Sequence, residues 1–418
     1  MNKLIIGIVW SLLIFQNLFS QSNQSVSNLI LSSYKNDLKW QQNQNLVNFA
    51  EQQHYTTPWI RDLDIQYGNR DALLIDNLFS LRLNSNNFRE IGQYSKLQRA
   101  QNEVLKRESL ELLKEMMYER YQLCLNFAEA TKKKIYLDSL NLLTSMRMNL
   151  MIQNAGNDKK LNIVDIVKQA ADKDQILLDS TLNQQRWLEI LHKIQLLGID
   201  SNRISHRTEE WVTIEDIKKQ IQSNSNANFN FLSNDKRDQQ LVQLQMEKKL
   251  QLKRDKELNG FFQFGLRDYS NRETLEEKFF TRVGLTIPLG GLPNRRRNAL
   301  DLEIFEIRDR IVLSDSIKTW NLKILAKQID FQILQYQQLL NSEEYKICNR
   351  FLNSENLRRE MSSDDLLYLY IHKLLAQLEI LKLEMVIYDT YIKYLDEADV
   401  LISTPLRNHL TRQSVPLD

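Results

Sequence analysis

The sequence predicts a mainly helical chain that also carries four β-strands and uses one structural unit twice. Three observations lead there. Gly and Pro are scarce, 10 and 5 in 418 residues, which suits long helices joined by few loops. Two stretches about two hundred residues apart alternate apolar and polar residues with period two, and a long run of helical period follows each. An acidic residue precedes an apolar run at the matching place in both halves: Asp165 before Ile166 and Val167, Asp365 before Leu366 and Leu367.

The strand stretches carry the strongest pattern. Phe262, Phe264 and Leu266 alternate with Gln263, Gly265 and Arg267. Phe279, Val283, Leu285 and Ile287 share one parity, and Arg282, Gly284 and Thr286 the other. Pro288 cannot donate to a ladder and ends this strand; Gly290 and Gly291 let the backbone turn. Upstream, Leu63, Ile65 and Tyr67 alternate with Asp62, Asp64 and Gln66, and Phe79, Leu81 and Leu83 with Ser80, Arg82 and Asn84. Each strand therefore has one apolar and one polar face.

In chain order, Lys3, the apolar run Leu4 to Phe15 and the small Ser20 read as a signal peptide cut after Ser20, so export is expected. A helix is expected from Ser25 to Gln53, ended by Pro58. The next runs from Arg89 to Gln153, about 100 Å at 1.5 Å per residue. Its Leu110, Leu113, Met117, Cys124 and Phe127 fall on one stripe that other helices must cover. Gly156 is the left-handed C-cap of the hairpin turn, and Asn162 to Leu197 returns alongside. A polar segment with a short helix after Thr213 leads to a helix from Asp235 to Leu258. The second long helix spans Arg295 to Phe351, and the last, capped by Ser362 or Ser363, runs to Ile402. The tail from Ser403 to Asp418 is expected to be poorly ordered. The division is a signal peptide (1–20), a first repeat (21–199), an equatorial linker (200–234), a second repeat (235–402) and the tail (403–418).

A formal net charge of +2 gives no push toward nucleic acid. Cys124 and Cys348 form no CxxC pair or metal constellation and read as small buried residues; whether they pair is open. His54, His192, His206, His372 and His409 are scattered. No catalytic motif or phosphate loop is present, so neither an enzyme nor a cofactor is expected.

Four strands with one apolar face cannot close usefully on their own, and in lipid only a closed barrel satisfies strand edges. Several protomers must pool their strands, with the long helices forming a tube outside the membrane: a channel built by an oligomer. The alternative is a non-conducting periplasmic coiled-coil protein, a structural spacer or adaptor. An adaptor would carry Gly-rich β modules around one helical hairpin, whereas this chain has two hairpins and two strand pairs.

The arrangement resembles the outer membrane efflux protein family, the TolC family, over nearly the whole mature chain. The most specific piece is Val283-Gly-Leu-Thr-Ile-Pro-Leu-Gly-Gly291, then Arg295, Arg296 and Arg297 opening an apolar-periodic helix. Gly156 with Asn162-Ile-Val-Asp165 is similar to the family's hairpin turn. The resemblance implies a homotrimer with a twelve-stranded barrel in the outer membrane of a Gram-negative cell. It also implies a periplasmic helical tunnel that meets a periplasmic adaptor and an inner-membrane transporter. It implies a periplasmic gate at Asp365 and Asp165; the plain reading of both is a helix N-terminal carboxylate favoured by the macrodipole. The second repeat lacks the turn glycine, and Tyr368 or Leu369 stands one helical turn beyond Asp365, where some members are acidic. Pro288, Gly290, Gly291, Arg295, Arg296 and Arg297 mark the junction of barrel and tunnel, where the arginines face lumen or headgroups, or form a solvated first turn. Trp59, Tyr67, Phe79, Phe261, Phe279 and Phe280 are candidates for interfacial belts or for ordinary strand packing.

Overall fold

A computed structural model of the chain describes residues 25–53, 60–69, 76–85, 88–155, 163–200, 211–224, 231–254, 259–269, 279–286, 295–412 and 416–417. The signal segment, Trp59, Gly156, Pro288, Gly290 and Gly291 lie outside the described residues. The elements are α1 (Val26–Ser32), a 3-10 turn (Ser33–Asn36), α2 (Leu38–Gln52), β1 (Ile60–Asn69), β2 (Asp76–Ser85), α3 (Phe88–Ala155), α4 (Ile163–Leu196) and α5 (Ile214–Asn224). They continue with α6 (Leu232–Arg254), β3 (Asn259–Tyr269), β4 (Phe279–Thr286), α7 (Arg295–Leu340), α8 (Glu343–Asn353), α9 (Glu355–Glu360), α10 (Ser363–Glu397) and a 3-10 turn (Val400–Ile402). The repeated order is visible: α2-β1-β2-α3 is echoed by α6-β3-β4-α7. No described helix is long and apolar enough to cross a membrane.

The chain forms two compact units, each drawing on both halves of the sequence. One comprises Gln42–Glu111 and Asn230–Ile317 and holds the sheet. Its strands run β1-β2-β3-β4, each antiparallel to the next. Its helices bury apolar side chains such as Val104, Leu250 and Leu300 and are also tied by polar contacts. Asn102 Nδ2 on α3 donates to Ala50 O on α2 at 3.0 Å. Arg107 on α3 pairs with Asp235 on α6 at 2.8 Å, and Arg296 on α7 with Glu247 on α6 at 2.7 Å.

The other unit holds the larger share of the buried apolar side chains. Of the stripe, Leu113, Met117, Cys124 and Phe127 of α3 are buried, while Leu110 is half-buried. Toward the far end of α3, Leu137 and Leu140 pack with Ile176 of α4 and Ile371 and Leu378 of α10. Both cysteines are buried free thiols.

Three expectations are corrected. The helix expected over Ser25–Gln53 is broken. Ser33 Oγ donates to Ile30 O at 2.7 Å, and Asp37 Oδ1 accepts from Lys39 N at 2.9 Å to start α2. Short polar side chains compete for backbone partners in this way and interrupt helices. The break is clasped by buried Arg120, whose Nη2 meets Asp37 Oδ2 at 2.8 Å and whose Nε meets Ser33 Oγ at 3.1 Å. The second long helix stops at Leu340 rather than Phe351, because Ser342 Oγ accepts from Tyr345 N at 3.4 Å and caps α8, with Glu343 and Glu344 in its first turn.

The tail is the third correction. Instead of being poorly ordered, residues 403–412 and 416–417 pack into the core unit. Leu406, Leu410 and Leu417 are buried, and Asn408 is wholly enclosed. Asn408 Nδ2 donates to Ser27 Oγ at 2.8 Å and Asn28 Oδ1 at 2.6 Å, while its Oδ1 accepts from Leu410 N at 3.0 Å. The Tyr121 hydroxyl donates to Arg407 O at 2.8 Å and accepts from His409 N at 3.1 Å. A segment without periodicity is held here by partners distant in sequence, which no local pattern announces.

Two outcomes follow from the tail. Asn408→Ala removes the hydrogen bonds to Ser27 and Asn28 and takes away the acceptor of the buried Leu410 amide, at an expected cost of about 1–3 kcal/mol, read as a lowered denaturation midpoint of the purified chain. Burial of His409 lowers its pKa from 6.5 to about 4. The unfolded imidazole takes up a proton that the folded one refuses. Stability is therefore present above pH 6.5 and falls progressively as the pH drops toward 4. Thermal melts across this range are expected to show the fall, and His409→Phe to flatten it.

Candidate functional site

The register aligns the apolar parity of all four strands on one face. Tyr67 lies opposite Phe79, Ile65 opposite Leu81, and Leu63 opposite Leu83. Phe79, Leu81 and Leu83 in turn oppose Leu266, Phe264 and Phe262, and Phe262 opposes Val283. This face is open: Tyr67 is 69% exposed and Val283 81%. Among the described residues, the outer edges of β1 and β4 have no further strand beside them in the sheet.

The opposite face is polar but carries two aromatic rings. Phe261 pairs across the ladder with Gly284, and Gly265 with Phe280. Each ring lies flat on the facing glycine. A Cβ at Gly284 would sit 2.2 Å from the Phe261 ring, and one at Gly265 2.4 Å from the Phe280 ring. The two glycines are there because any side chain would lift the rings. An arginine covers each ring: Arg82 is 4.0 Å from the centroid of Phe261, and Arg282 is 5.3 Å from that of Phe280. Phe261 and Phe280 therefore leave the candidate belt, since they lie on the face opposite Tyr67, Phe79 and Phe279. Aromatic identity pointed to a belt, while their parity with Gly284 and Gly265 pointed to the other face.

Of the junction residues, Arg295 opens α7, Arg296 is bound to Glu247, and Arg297 is half-buried.

Of the gate residues, Asp365 lies in the first turn of α10 and Asp165 in that of α4, both exposed. Asp365 completes a reciprocal cap. Its amide donates to Ser362 Oγ at 3.2 Å, and that hydroxyl donates back to Asp365 Oδ2 at 2.6 Å. Its neighbour Asp364 reaches another helix. Arg147 on α3 donates through Nε to Asp364 Oδ1 at 3.0 Å and through Nη1 to Gln169 Oε1 on α4 at 3.0 Å. The same guanidinium lies 4.7 Å from the Tyr368 ring centroid. The Tyr368 ring packs tilted against His372 with centroids 4.2 Å apart, and His372 Nδ1 meets Glu344 on α8 at 2.9 Å. One arginine thus ties three helix ends together. The spacing Asp364, Tyr368, His372 along one face of α10 was the available sign of this cluster. Its partner Arg147 is 217 residues away and carried no sign.

Solved structures with the same fold exist. A membrane protein from Pseudomonas aeruginosa superposes with a TM-score of 0.62 at 12% identity, covering 90% of this chain and 94% of that one. The CmeC outer membrane channel of Campylobacter jejuni gives 0.61 at 12% identity, covering 89% and 84%. The MtrE outer membrane channel of Neisseria gonorrhoeae gives 0.52 at 11% identity, covering 92% and 90%. No family model and no curated protein matches the sequence. The chain has the TolC-like fold, with long helices and four antiparallel strands per protomer.

The two neighbouring aspartates should separate on mutation. Asp364→Asn weakens an interhelical charge-assisted contact, whereas Asp365→Asn touches only a cap. Hydrogen exchange is expected to speed up at the ends of α3, α4 and α10 in Asp364→Asn and Arg147→Ala. In Asp365→Asn the change should stay within the first turn of α10, worth roughly 0.5–2 kcal/mol.

Proposed function

We propose that this TolC-like chain is the outer-membrane channel of a tripartite efflux or type I secretion system, passing substrates from an inner-membrane pump and adaptor through a periplasmic tunnel. The carrying observation is the sheet: four strands, one exposed apolar face and two open edges on the same element. Lipid would cover the apolar face, and further copies of the sheet would cover the edges. Three copies of four strands give twelve, enough for a barrel with a water-filled interior. Apolar side chains exposed on helices, such as Leu178, Leu182 and Leu188 of α4 and Phe305 of α7, favour the same assembly, since neighbouring protomers would bury them.

In this reading residues 1–20 direct export and are removed near Ser20. The two repeats, 21–199 and 235–402, supply the hairpins, with Gly156 at the first turn. Pro288, Gly290, Gly291 and Arg295 to Arg297 form the passage from barrel to tunnel. Asp365 and Asp165 add acidic charge at the periplasmic mouth, and the Arg147 cluster holds the helix ends that frame it. The role is transport rather than catalysis.

Fractionation with chemical crosslinking tests the reading. The expected result is a mature species in the outer membrane, starting near Gln21 and crosslinking to a trimer. A soluble periplasmic monomer or dimer would overturn it and leave a structural spacer as the better account.

A further inference from the structure

We propose that the carboxylates at the end of α10 form a proton-operated clamp on α3 and α7, looser while Asp396 is charged and tighter once it holds a proton. The clamp goes beyond the channel reading and does not depend on it, since its groups all lie within the core unit.

The clamp gathers opposite charges from three helices. Asp399, just past the end of α10, has a side chain only 6% exposed and accepts an ammonium on each oxygen. Lys114 Nζ of α3 donates to its Oδ1 at 2.5 Å, and Lys318 Nζ of α7 to its Oδ2 at 3.2 Å. Its backbone is left-handed, with φ 57°, and its amide donates to Asp396 O at 3.0 Å. The turn that ends α10 thus aims this carboxylate at both lysines. Lys114 lies two residues after α3 enters the core unit, and Lys318 is the first residue of α7 within it, so each helix is gripped where it enters. Asp396 Oδ1 stands 3.8 Å from Lys114 Nζ, too far for a hydrogen bond, and this buried oxygen receives no donor among the described residues. Glu397 accepts from Asn321 Nδ2 of α7 at 3.0 Å. Three carboxylates therefore crowd a helix C-terminus, where the macrodipole already disfavours negative charge.

The groups that face Asp396 are Lys114 and Tyr118 from α3, Lys318 from α7, and Glu397 and Asp399 from its own end of α10. Burial, with the like charges of Asp399 and Glu397, outweighs the two lysines and holds the Asp396 carboxyl above the ordinary aspartate value. The folded chain therefore binds this proton more tightly than the unfolded chain does. A charged Asp396 weakens the fold, and the penalty is lifted as the pH falls through the folded value toward the ordinary one. A proton taken from water removes one negative charge beside Asp399 and leaves Lys114 to Asp399 alone. His409 acts in the opposite direction, so the clamp is separated from it by a local readout.

The test uses the full-length protein in detergent. Hydrogen exchange is followed in α3 around Lys114, in α7 around Lys318 and at the end of α10, for wild type and for Asp396→Asn, which carries no charge at any pH. At neutral pH the variant is expected to exchange more slowly at all three places, by roughly twofold or more, and at about pH 4 the difference should shrink. Each comparison is made at one pH, so the intrinsic exchange rate and the titration of His409 are common to both proteins and cancel. Lys318→Met removes a cation that favours the charged carboxylate and should move the pH at which protection rises upward. A variant Asp396→Asn that exchanges as fast as wild type at neutral pH, or a difference that does not change with pH, overturns the clamp. An unmoved pH profile in Lys318→Met overturns it as well, whether or not Asp396→Asn folds.

Discussion

The outer edges of β1 and β4 are the constraint on which the rest depends. Among the described residues, each carries a row of backbone amides and carbonyls with no strand beside it, next to an apolar face that is exposed. Water could satisfy the edges but not the face; hydrocarbon could cover the face but not the edges. A sheet continued by further strands meets both demands. The fold spends its regularity on keeping this sheet extensible: four strands in simple antiparallel order, without a crossover that would block an edge.

The two units answer different physical demands. Where the sheet sits, the helices are joined by ion pairs and amide contacts such as Arg107–Asp235 and Asn102–Ala50, with few wholly buried apolar side chains. Exposed pairs of this kind contribute little each, roughly 0–1 kcal/mol. The other unit has Ile30, Met117, Tyr121, Ile194, Ile217, Ile387 and Ile392 essentially sealed from solvent. Buried tyrosines there keep polar partners: Tyr388 donates to Val212 O at 2.7 Å, so its ring can be enclosed without an orphaned hydroxyl. The side chains sealed most completely from solvent are thus concentrated in one unit.

Much of this was legible because period two and period 3.6 are local signals. The strand parities of Leu63, Ile65 and Tyr67, and of Phe262, Phe264 and Leu266, appear in the register as read. So does the length of α3, which runs from Phe88 to Ala155 without a break. What escaped was governed by single side chains or by distance. Ser342 and Asp37 each act as a cap inside an otherwise helical pattern, and Arg120 reinforces one break from 83 residues away. The tie between Arg147 and Asp364 depends on two helices meeting. For Phe261 and Phe280, the choice between belt and strand packing turns on the glycines opposite them, and that pairing becomes visible only with the register.

The enclosure of Asn408 has a consequence for the order of folding. Its contacts with Ser27 and Asn28 span 381 and 380 residues, nearly the full chain. The α3–α4 hairpin can form from neighbouring sequence as soon as it is made. The seat of α1 cannot, because Asn408 supplies hydrogen-bond partners to it from about 380 residues further along the chain. Contacts of such separation carry a large loop-closure cost and form late. Until they form, Ser27 and Asn28 lack the partners that Asn408 gives them, so α1 is completed only once the two ends of this stretch have met.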